Sequence, residues 1–186
     1  MSTRLKKDFF EQNTVKVAKS LLGKFLIRKV KNNTIVAKIV EVEAYHGLSD
    51  KASHASKNRT SRNEIMFGDA GVAYIYFVYG MHYMFNIVCG RTQFPAAVLI
   101  RAVEIEGVDK NKTNGPAKLC KFLKIDKSLN KENLITSNSL WVEARGKNPL
   151  SKDIVKTERV GVEYSGDSAN LLWRFYINSS KFISRK

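Results

Sequence analysis

The stretch that decides the fold is Thr34-Ile35-Val36-Ala37-Lys38-Ile39-Val40-Glu41-Val42-Glu43-Ala44-Tyr45. Apolar and polar residues alternate along much of it, which is typical of a β-strand. The period of two places Glu41, Glu43 and Tyr45 on one face of that strand. A solvated face would account for the two carboxylates, whereas a functional site would need further polar or aromatic groups close to them.

Strand-like runs lie on both sides of this stretch. Residues 25–30 precede it across a two-residue turn signal at Asn32-Asn33, so the two runs predict a β-hairpin. Two aromatic runs between 73 and 89 meet at Gly80-Met81. Further strands are predicted at 96–103, 159–164 and 171–178. The sequence therefore predicts a mixed or mostly antiparallel sheet.

Two helices are predicted beside the sheet. The first spans 14–22 and ends at Gly23, and the second begins at Pro116, a residue that suits the first turn of a helix. Residues 127–156 are polar and weakly patterned, so we expect a surface loop there, interrupted by a short apolar piece at 140–142. With 186 residues, 44% of them apolar, the chain predicts a single α+β domain, residues 1–186, with helices flanking a curved sheet.

The chain is strongly basic. It has 32 Lys and Arg residues against 17 Asp and Glu residues, which gives a net charge of +15. Nucleic acid is the expected partner, because neutralising phosphates with Lys and Arg releases condensed counterions. An anionic membrane surface is a weaker alternative, since the basic residues are spread along the chain rather than gathered on one amphipathic segment. Charge alone leaves open an RNA-binding or ribosome-associated protein.

Neither a targeting signal nor a redox motif is predicted. The first residues are charged and lack the apolar core of a signal peptide, so we expect an intracellular protein, cytoplasmic or associated with the nucleoid. Cys89 and Cys120 lie in apolar surroundings without the spacing of a zinc site, and we expect free buried thiols. We expect no metal and no cofactor.

A basic, polar loop follows the strand that ends at Tyr45. The run 56–63 contains Arg59 and Arg62 among serine, threonine and asparagine residues. Side chains of these types bind phosphates, so we expect this loop to contact a nucleic-acid backbone. Ser61 and Glu64 also have the spacing of a capping box for a short helix, and the two interpretations are compatible.

The most aromatic stretch runs from Tyr74 to Tyr83. Aromatic residues in a strand are core residues more often than not, and Tyr74 and Tyr76 share one face of the first run. Tyr79 stands beside the turn at Gly80, where a large ring would project outward, as a wedge between DNA base pairs requires. Both interpretations of Tyr79 are open on the sequence alone.

Three further residues are candidates for a binding pocket. His54 lies in the loop after the strand, while Asn86 and Arg101 are polar residues within apolar strands, a costly placement unless each has a partner. Ordinary structural explanations exist as well. Asn86 suits a satisfied cross-strand amide, and Arg101 suits a buried pair with Glu41 or Glu104.

Taken together, these motifs resemble the alkyladenine (3-methyladenine) DNA glycosylase family. The resemblance covers nearly the whole chain and rests on residues 40–45, His54, Arg62-Asn63, Met66-Phe67, Tyr74-x-Tyr76-x-x-Tyr79-Gly80-Met81, Asn86-Ile87, 98–102, 115–120, Arg159-Val160-Gly161-Val162 and Arg174-Phe175-Tyr176. Two places depart from the family pattern: His82 replaces an aromatic residue, and Glu163-Tyr164 stands where the family has Gly-His.

The resemblance implies catalytic and DNA-contacting roles. Glu43 is implied to be the general base. Arg101 and the main chain at Val160 are implied to help hold the nucleophilic water and a nearby phosphate. Gly161 is implied to approach the DNA backbone closely.

The resemblance also implies a pocket for a flipped base. Tyr45, His54 and Tyr76 are implied to line it, and Tyr79 to fill the gap that the flipped nucleotide leaves in the duplex. Asn86 is implied to guard the pocket against the 2-amino group of normal guanine.

The fold implied by the resemblance is a curved antiparallel sheet with a protruding β-hairpin, similar to the C-terminal domain of formyltransferases. The implied activity is that of a DNA glycosylase, which hydrolyses the N-glycosidic bond of 3-methyladenine or 7-methylguanine and leaves an abasic site. No Lys stands in a motif that suggests Schiff-base attack on the sugar, so we expect a monofunctional enzyme without lyase activity. Hypoxanthine and ethenoadenine stay open as substrates. We expect a monomer whose partner is double-stranded DNA with a damaged purine, and no membrane partner. A non-catalytic RNA-binding domain of the same fold is the rival.

Overall fold

One sheet of nine strands organises the part of the chain that the computed structural model describes, residues 2–185. The strands are β1 (Ser2–Arg4), β2 (Phe25–Val30), β3 (Asn33–His46), β4 (Ala73–Val78), β5 (His82–Val88), β6 (Ala96–Glu104), β7 (Leu140–Arg145), β8 (Ile154–Thr157) and β9 (Arg174–Ile177). The helices are α1 (Lys7–Phe10), α2 (Thr14–Leu21) and α3 (Pro116–Phe122), with short 3-10 helices at Glu64–Phe67, Lys110–Lys112, Lys127–Leu129, Ser151–Asp153 and Glu163–Asn170.

The sheet is antiparallel and curls into a half-barrel. Its strand order is β1-β7-β2-β3-β6-β5-β4, and β9 joins β3 while β8 joins β9. Each of these pairings is antiparallel, so the predicted α+β class is confirmed and the sheet is antiparallel rather than mixed. The similarity to formyltransferase C-terminal domains stays a prediction.

Strand β3 is the centre of the sheet. Its 14 residues pair with β2 along the first half and with β6 and β9 along the second. The predicted β2–β3 hairpin is confirmed, but its turn is Lys31-Asn32 rather than Asn32-Asn33, because Asn33 pairs with Val30 and Lys31 adopts a φ of +53°. The register between β3 and β6 shifts on both sides of Glu41, and such irregularities bend a strand and re-aim its side chains.

The core lies between the sheet and the helices α2 and α3. Helix α2 begins after Asn13, whose side chain accepts hydrogen bonds from the Val15 and Lys16 N–H groups. The helix buries Val17, Ala18 and Leu21 against the sheet and ends before Gly23, which has a φ of +79°. The predicted helix and its glycine stop are therefore confirmed.

Two predictions about the last third of the chain are wrong. Residues 159–164, which were predicted to be a strand, form a bend and the start of a 3-10 helix. Strand β8 instead lies almost entirely within residues 127–156, which were predicted to be a surface loop. Gly161 has a φ of +73°, which breaks an extended run, and the Arg159 side chain makes buried hydrogen bonds of its own. The predicted strand at 171–178 is present but shorter, as β9, and β1 was not predicted.

The two cysteines and the length and polarity of the helices complete the description. Cys89 and Cys120 are both free and buried, as predicted, and burial raises the pKa of each thiol to about 12. Within residues 2–185, each helix is too short or too polar to cross a bilayer.

Candidate active site

A cavity of about 240 Å³ opens where β3, β4, β5 and β6 meet the loops around His54 and Val160. It collects most of the residues predicted to form a site. Those that line it are Tyr45, His54, Tyr76, Tyr79, Asn86, Arg101, Val160 and Gly161. The cavity also includes lining residues that were not predicted to belong to a site, among them Ala52, Leu99 and Tyr164.

Glu43 lies beneath the floor of this cavity, with no surface exposed. Its Oε1 atom accepts a hydrogen bond from the Val160 N–H (2.8 Å) and is 3.1 Å from Nη1 of Arg101. Its Oε2 atom accepts from the Tyr45 hydroxyl at 2.9 Å. The three partners all line the cavity, so the carboxylate lies directly under the lining, and the interpretation of a solvated face is wrong.

Glu41 is the second buried carboxylate and belongs to a structural cluster. Its Oε1 atom accepts from Arg101 Nε (3.2 Å) and Arg174 Nη1 (2.9 Å), and its Oε2 atom accepts from the Ser184 N–H (2.6 Å). The Ser184 hydroxyl donates to Oε1 at 2.8 Å. Glu41 therefore anchors the C-terminal segment and one side of Arg101.

Arg101 is shared by the two carboxylates. The pair with Glu41 that the sequence left open is present, while Glu104 instead accepts from Ser180 at 3.2 Å. Burial by itself lowers the pKa of the Arg101 guanidinium, but the charges of Glu43 and Glu41 outweigh it and the net shift is upward. Arg101 is thus a permanent cation whose Nη1 end reaches both Glu43 and the cavity.

An aromatic wall flanks the floor. The His54 ring lies 4.5 Å from the Tyr76 ring in an edge-on arrangement, and Nδ1 of His54 is 2.9 Å from the Tyr74 hydroxyl. Desolvation of the ring, reinforced by the charge of Arg62, lowers the pKa of His54 even though the residue keeps exposed surface, so this ring is neutral at neutral pH. Burial raises the pKa of the Tyr45 and Tyr76 hydroxyls, which therefore stay protonated.

Asn86 contributes an amide to the same cavity. Its side-chain nitrogen donates to the carbonyls of Tyr74 (3.2 Å) and Met84 (3.4 Å). The cross-strand bond to Tyr74 matches the structural interpretation of this residue, and Asn86 also lines the cavity. The two interpretations hold together.

Tyr79 projects from the turn between β4 and β5, which pair antiparallel. Its side chain is 87% exposed, and both Tyr79 and Gly80 adopt positive φ, +53° and +65°. A tyrosine in the left-handed region is strained. The interpretation of Tyr79 as a core residue is wrong, because the turn directs its ring into solvent at the mouth of the cavity.

Arg59 and Arg62 stand beside the cavity rather than in it. The Arg62 guanidinium lies 5.3 Å from the centre of the Tyr76 ring, and that of Arg59 lies 5.2 Å from the Phe67 ring. Both side chains are exposed. The capping box expected nearby is absent, because Asn63 precedes the 3-10 helix and makes no side-chain cap there.

Three residues that support the site received no role from the sequence. The buried Asn63 amide donates to the carbonyls of His54 (2.8 Å) and Asn58 (2.9 Å) and so holds the His54 loop. Asp50 and Arg159 form a buried ion pair behind Tyr45. The available signal was Arg159, a charged residue at the start of an apolar run, and nothing in the sequence relates it to Asp50.

Comparison with known proteins places these features in a family context. The model of a family described as methylpurine-DNA glycosylase matches residues 8–181. A protein of Clostridium perfringens is 40% identical, covering 98% of this chain and 100% of that protein. A protein of Borreliella afzelii is 48% identical, covering 95% of this chain and 97% of that protein. Both relatives are provisionally named 3-methyladenine DNA glycosylase.

Proposed function

Because this chain belongs to the methylpurine-DNA glycosylase family, we propose that it flips alkylated purines out of duplex DNA and hydrolyses their N-glycosidic bond with a water activated by Glu43. The observation that carries the proposal is the fully buried Glu43 carboxylate under the cavity floor, held by Tyr45, Arg101 and the Val160 N–H. A carboxylate aimed at a water suffices as base when the leaving group departs easily.

The cavity suits a flipped base. Extruding a nucleotide costs a few kcal/mol, least where damage weakens pairing, and stacking on aromatic rings returns roughly 1 to 3 kcal/mol per base. Tyr45, His54 and Tyr76 supply such rings. Because His54 is neutral at neutral pH, it does not repel a cationic alkylated purine, and aromatic faces attract a cation.

The hydrolysis step uses Glu43 as the base and the purine as the leaving group. The water oxygen forms a bond to the sugar C1′ while the C1′–N bond breaks, and the bonding pair leaves with the base, which neutralises a cationic purine. Glu43 takes the proton of the water. Within residues 2–185, Tyr45 is the one donor to Oε2, so this oxygen keeps a second lone pair that can accept the proton of the water.

The DNA backbone is contacted by the exposed basic loop and by Gly161. Arg59 and Arg62 lie beside the cavity mouth, where they can pair with phosphates. At Gly161 the φ is +73° and the space around an added Cβ is empty within 4 Å. A phosphate can therefore approach this backbone closely, which supports the contact implied for Gly161.

The proposed substrates are 3-methyladenine and 7-methylguanine. Asn86 disfavours normal guanine through its 2-amino group, whereas 7-methylguanine, which carries the same amino group, is released because its cationic ring is the better leaving group. Tyr164 departs from the family pattern, is 74% exposed and lines the cavity mouth. Its hydroxyl lies 3.5 Å from the Ala52 carbonyl on the opposite loop. We propose that it narrows the mouth against bulkier bases such as ethenoadenine.

The proposal is tested with a duplex that carries a single 7-methylguanine. We expect release of the free base by the protein alone, without added metal, and a strand that stays intact until alkali cleaves the abasic site. Strand cleavage without alkali would show lyase activity. Binding without base release would favour the non-catalytic RNA-binding rival, which leaves the buried Glu43 without a role.

Tyr79→Ala is expected to lower the rate of base release from duplex DNA by about 10- to 100-fold, because a stacking ring worth roughly 1 to 3 kcal/mol is lost. The rate on a single-stranded substrate should change by less than about 3-fold, since no gap needs filling there. Tyr79→Phe keeps the ring and serves as the control. Equal losses on both substrates would contradict a wedge.

A further inference from the structure

We propose that the buried ion pair between Asp50 and Arg159 positions the reacting groups, by setting the orientation of Glu43 and of the Tyr45 ring. This inference rests on the proposed function. Neither residue lines the cavity, so both act through others, and they are positioning residues rather than catalytic ones.

The pair is bidentate and fully enclosed. Nη1 of Arg159 donates to Oδ2 of Asp50 at 2.6 Å and Nη2 donates to Oδ1 at 2.8 Å. Both side chains have no exposed surface. Two parallel hydrogen bonds of this kind fix the relative orientation of two planar groups.

The same guanidinium joins three separate segments of the chain. Nη1 also donates to the carbonyl of Ala44 in β3 (2.9 Å), and Nη2 donates to the carbonyl of Ser168 in the 3-10 helix (3.0 Å). Asp50 belongs to the loop that leads to His54. Arg159 therefore fastens the end of β3, the His54 loop and the 3-10 helix at one point.

The Arg159 guanidinium is connected to the Glu43 carboxylate in two ways. Val160 directly follows Arg159, and its N–H is a donor to Glu43 at 2.8 Å. Ala44, whose carbonyl Arg159 holds, lies between Glu43 and Tyr45. A displaced guanidinium would move the Val160 N–H and the backbone on which Glu43 stands.

Asp50 extends the arrangement to the rim of the cavity. Its Oδ2 atom accepts from the His46 N–H (3.2 Å), and its Oδ1 atom accepts from the Ala52 N–H (3.1 Å). Ala52 lines the cavity. The ion pair therefore sets the start of the loop that presents His54 to the base.

The charge of the pair also matters to Tyr45. The Arg159 guanidinium lies 4.8 Å from the centre of the Tyr45 ring, and a bare cation there would weaken the attraction of that ring for a cationic purine. Asp50 balances the charge, so Tyr45 is held by a neutral pair.

Stability alone does not explain this arrangement. A buried ion pair is often no more stabilising than apolar residues of similar volume. In addition, Nε of Arg159 is buried without a hydrogen-bond partner within residues 2–185, which carries a cost. Orientation of the neighbouring groups is the benefit that the contacts themselves show.

Arg159→Lys tests the inference, because lysine keeps the charge but cannot hold Asp50, Ala44 and Ser168 in one plane. We expect the single-turnover rate of base release at saturating enzyme to fall about 10- to 100-fold, since small misplacements of reacting groups cost on this scale. The dissociation constant for the duplex with 7-methylguanine should change by less than about 3-fold.

The matched control is Arg28→Lys. Arg28 also donates to backbone carbonyls, those of Lys29, Leu123, Lys124 and Ser139, and none of these four residues lines the cavity. We expect this variant to lose stability while the folded protein keeps the wild-type rate. A second variant at the site, Asp50→Glu, keeps the pair but lengthens it by one methylene, and it should show the same loss of rate as Arg159→Lys.

The outcomes separate the inference from the proposed function. Wild-type rates in folded Arg159→Lys or Asp50→Glu, with Glu43→Gln inactive, would overturn the inference and leave the function intact. Equal losses of rate and duplex affinity would also overturn it, because they indicate a general structural role. Full activity in Glu43→Gln would instead overturn the function.

Discussion

We expect Glu43→Gln to lower the single-turnover rate of base release from alkylated duplex DNA by about 10²- to 10⁴-fold, the range for loss of a general base. The amide is nearly isosteric with the carboxylate but cannot take a proton from water. Its carbonyl oxygen can still accept from Arg101 and the Val160 N–H, while its NH₂ group faces Tyr45, whose hydroxyl can accept. The fold should therefore survive, and the loss should lie in the chemical step.

Glu143→Gln is the matched control for this experiment. Glu143 is a partly buried carboxylate that accepts from Trp141 Nε1 (2.7 Å) and Arg145 Nε (2.8 Å), and it does not line the cavity. The control should keep the wild-type rate. Base release by Glu43→Gln at more than about a tenth of the wild-type rate would remove Glu43 from the role of base, because a general base contributes far more than that.

We expect Arg101→Met to lower the free energy of unfolding by about 3 to 5 kcal/mol, because removing one partner of a buried ion pair leaves an uncompensated charge. Glu41 would keep Arg174 and Ser184 as partners, whereas Glu43 would keep the neutral donors Tyr45 and Val160 alone. Base release should fall as well, since Arg101 lines the cavity floor. Chemical denaturation with and without the substitution measures the change in stability.

Two control variants are compared with Arg101→Met. Arg101→Lys keeps the positive charge and should lose less stability than Arg101→Met. Arg145→Met removes a more exposed pair with Glu143, and such surface pairs contribute about 0 to 1 kcal/mol. A folding free energy of Arg101→Met within about 1 kcal/mol of the wild type would contradict a charge requirement at Glu43.

Local patterns predicted much of the fold. Alternation along β3, the turn before it and the glycine after α2 act over a few residues, and these features are present. The same reasoning failed at 159–164, where apolar residues indicated a strand. There, contacts from Arg159 to Asp50 and Ala44 hold the segment instead, and no local pattern encodes a partner 109 residues away.

The resemblance supplied expected site residues, but it did not supply their arrangement. The resemblance named Glu43, Tyr45, His54, Asn86 and Arg101, and the structure brings the last four together around one cavity with Glu43 below it. It assigned no role to Asp50, Asn63 or Arg159, although Asn63 and Arg159 belong to the motifs that carry it. The contacts of Arg159 with Asp50 and Ala44 join segments that lie far apart in the sequence, and no local pattern reveals them.

By itself, the sequence determined which strand carries the two carboxylates and which turn presents Tyr79, because alternation and turn chemistry depend on neighbouring residues. Only the tertiary structure decided that both carboxylates are buried and that their hydrogen-bond partners differ. Glu41 receives Arg174 and Ser184 from the end of the chain, up to 143 residues away, whereas Glu43 receives cavity-lining donors. Burial of a charge requires partners from several segments at once, and only a folded chain brings those segments together.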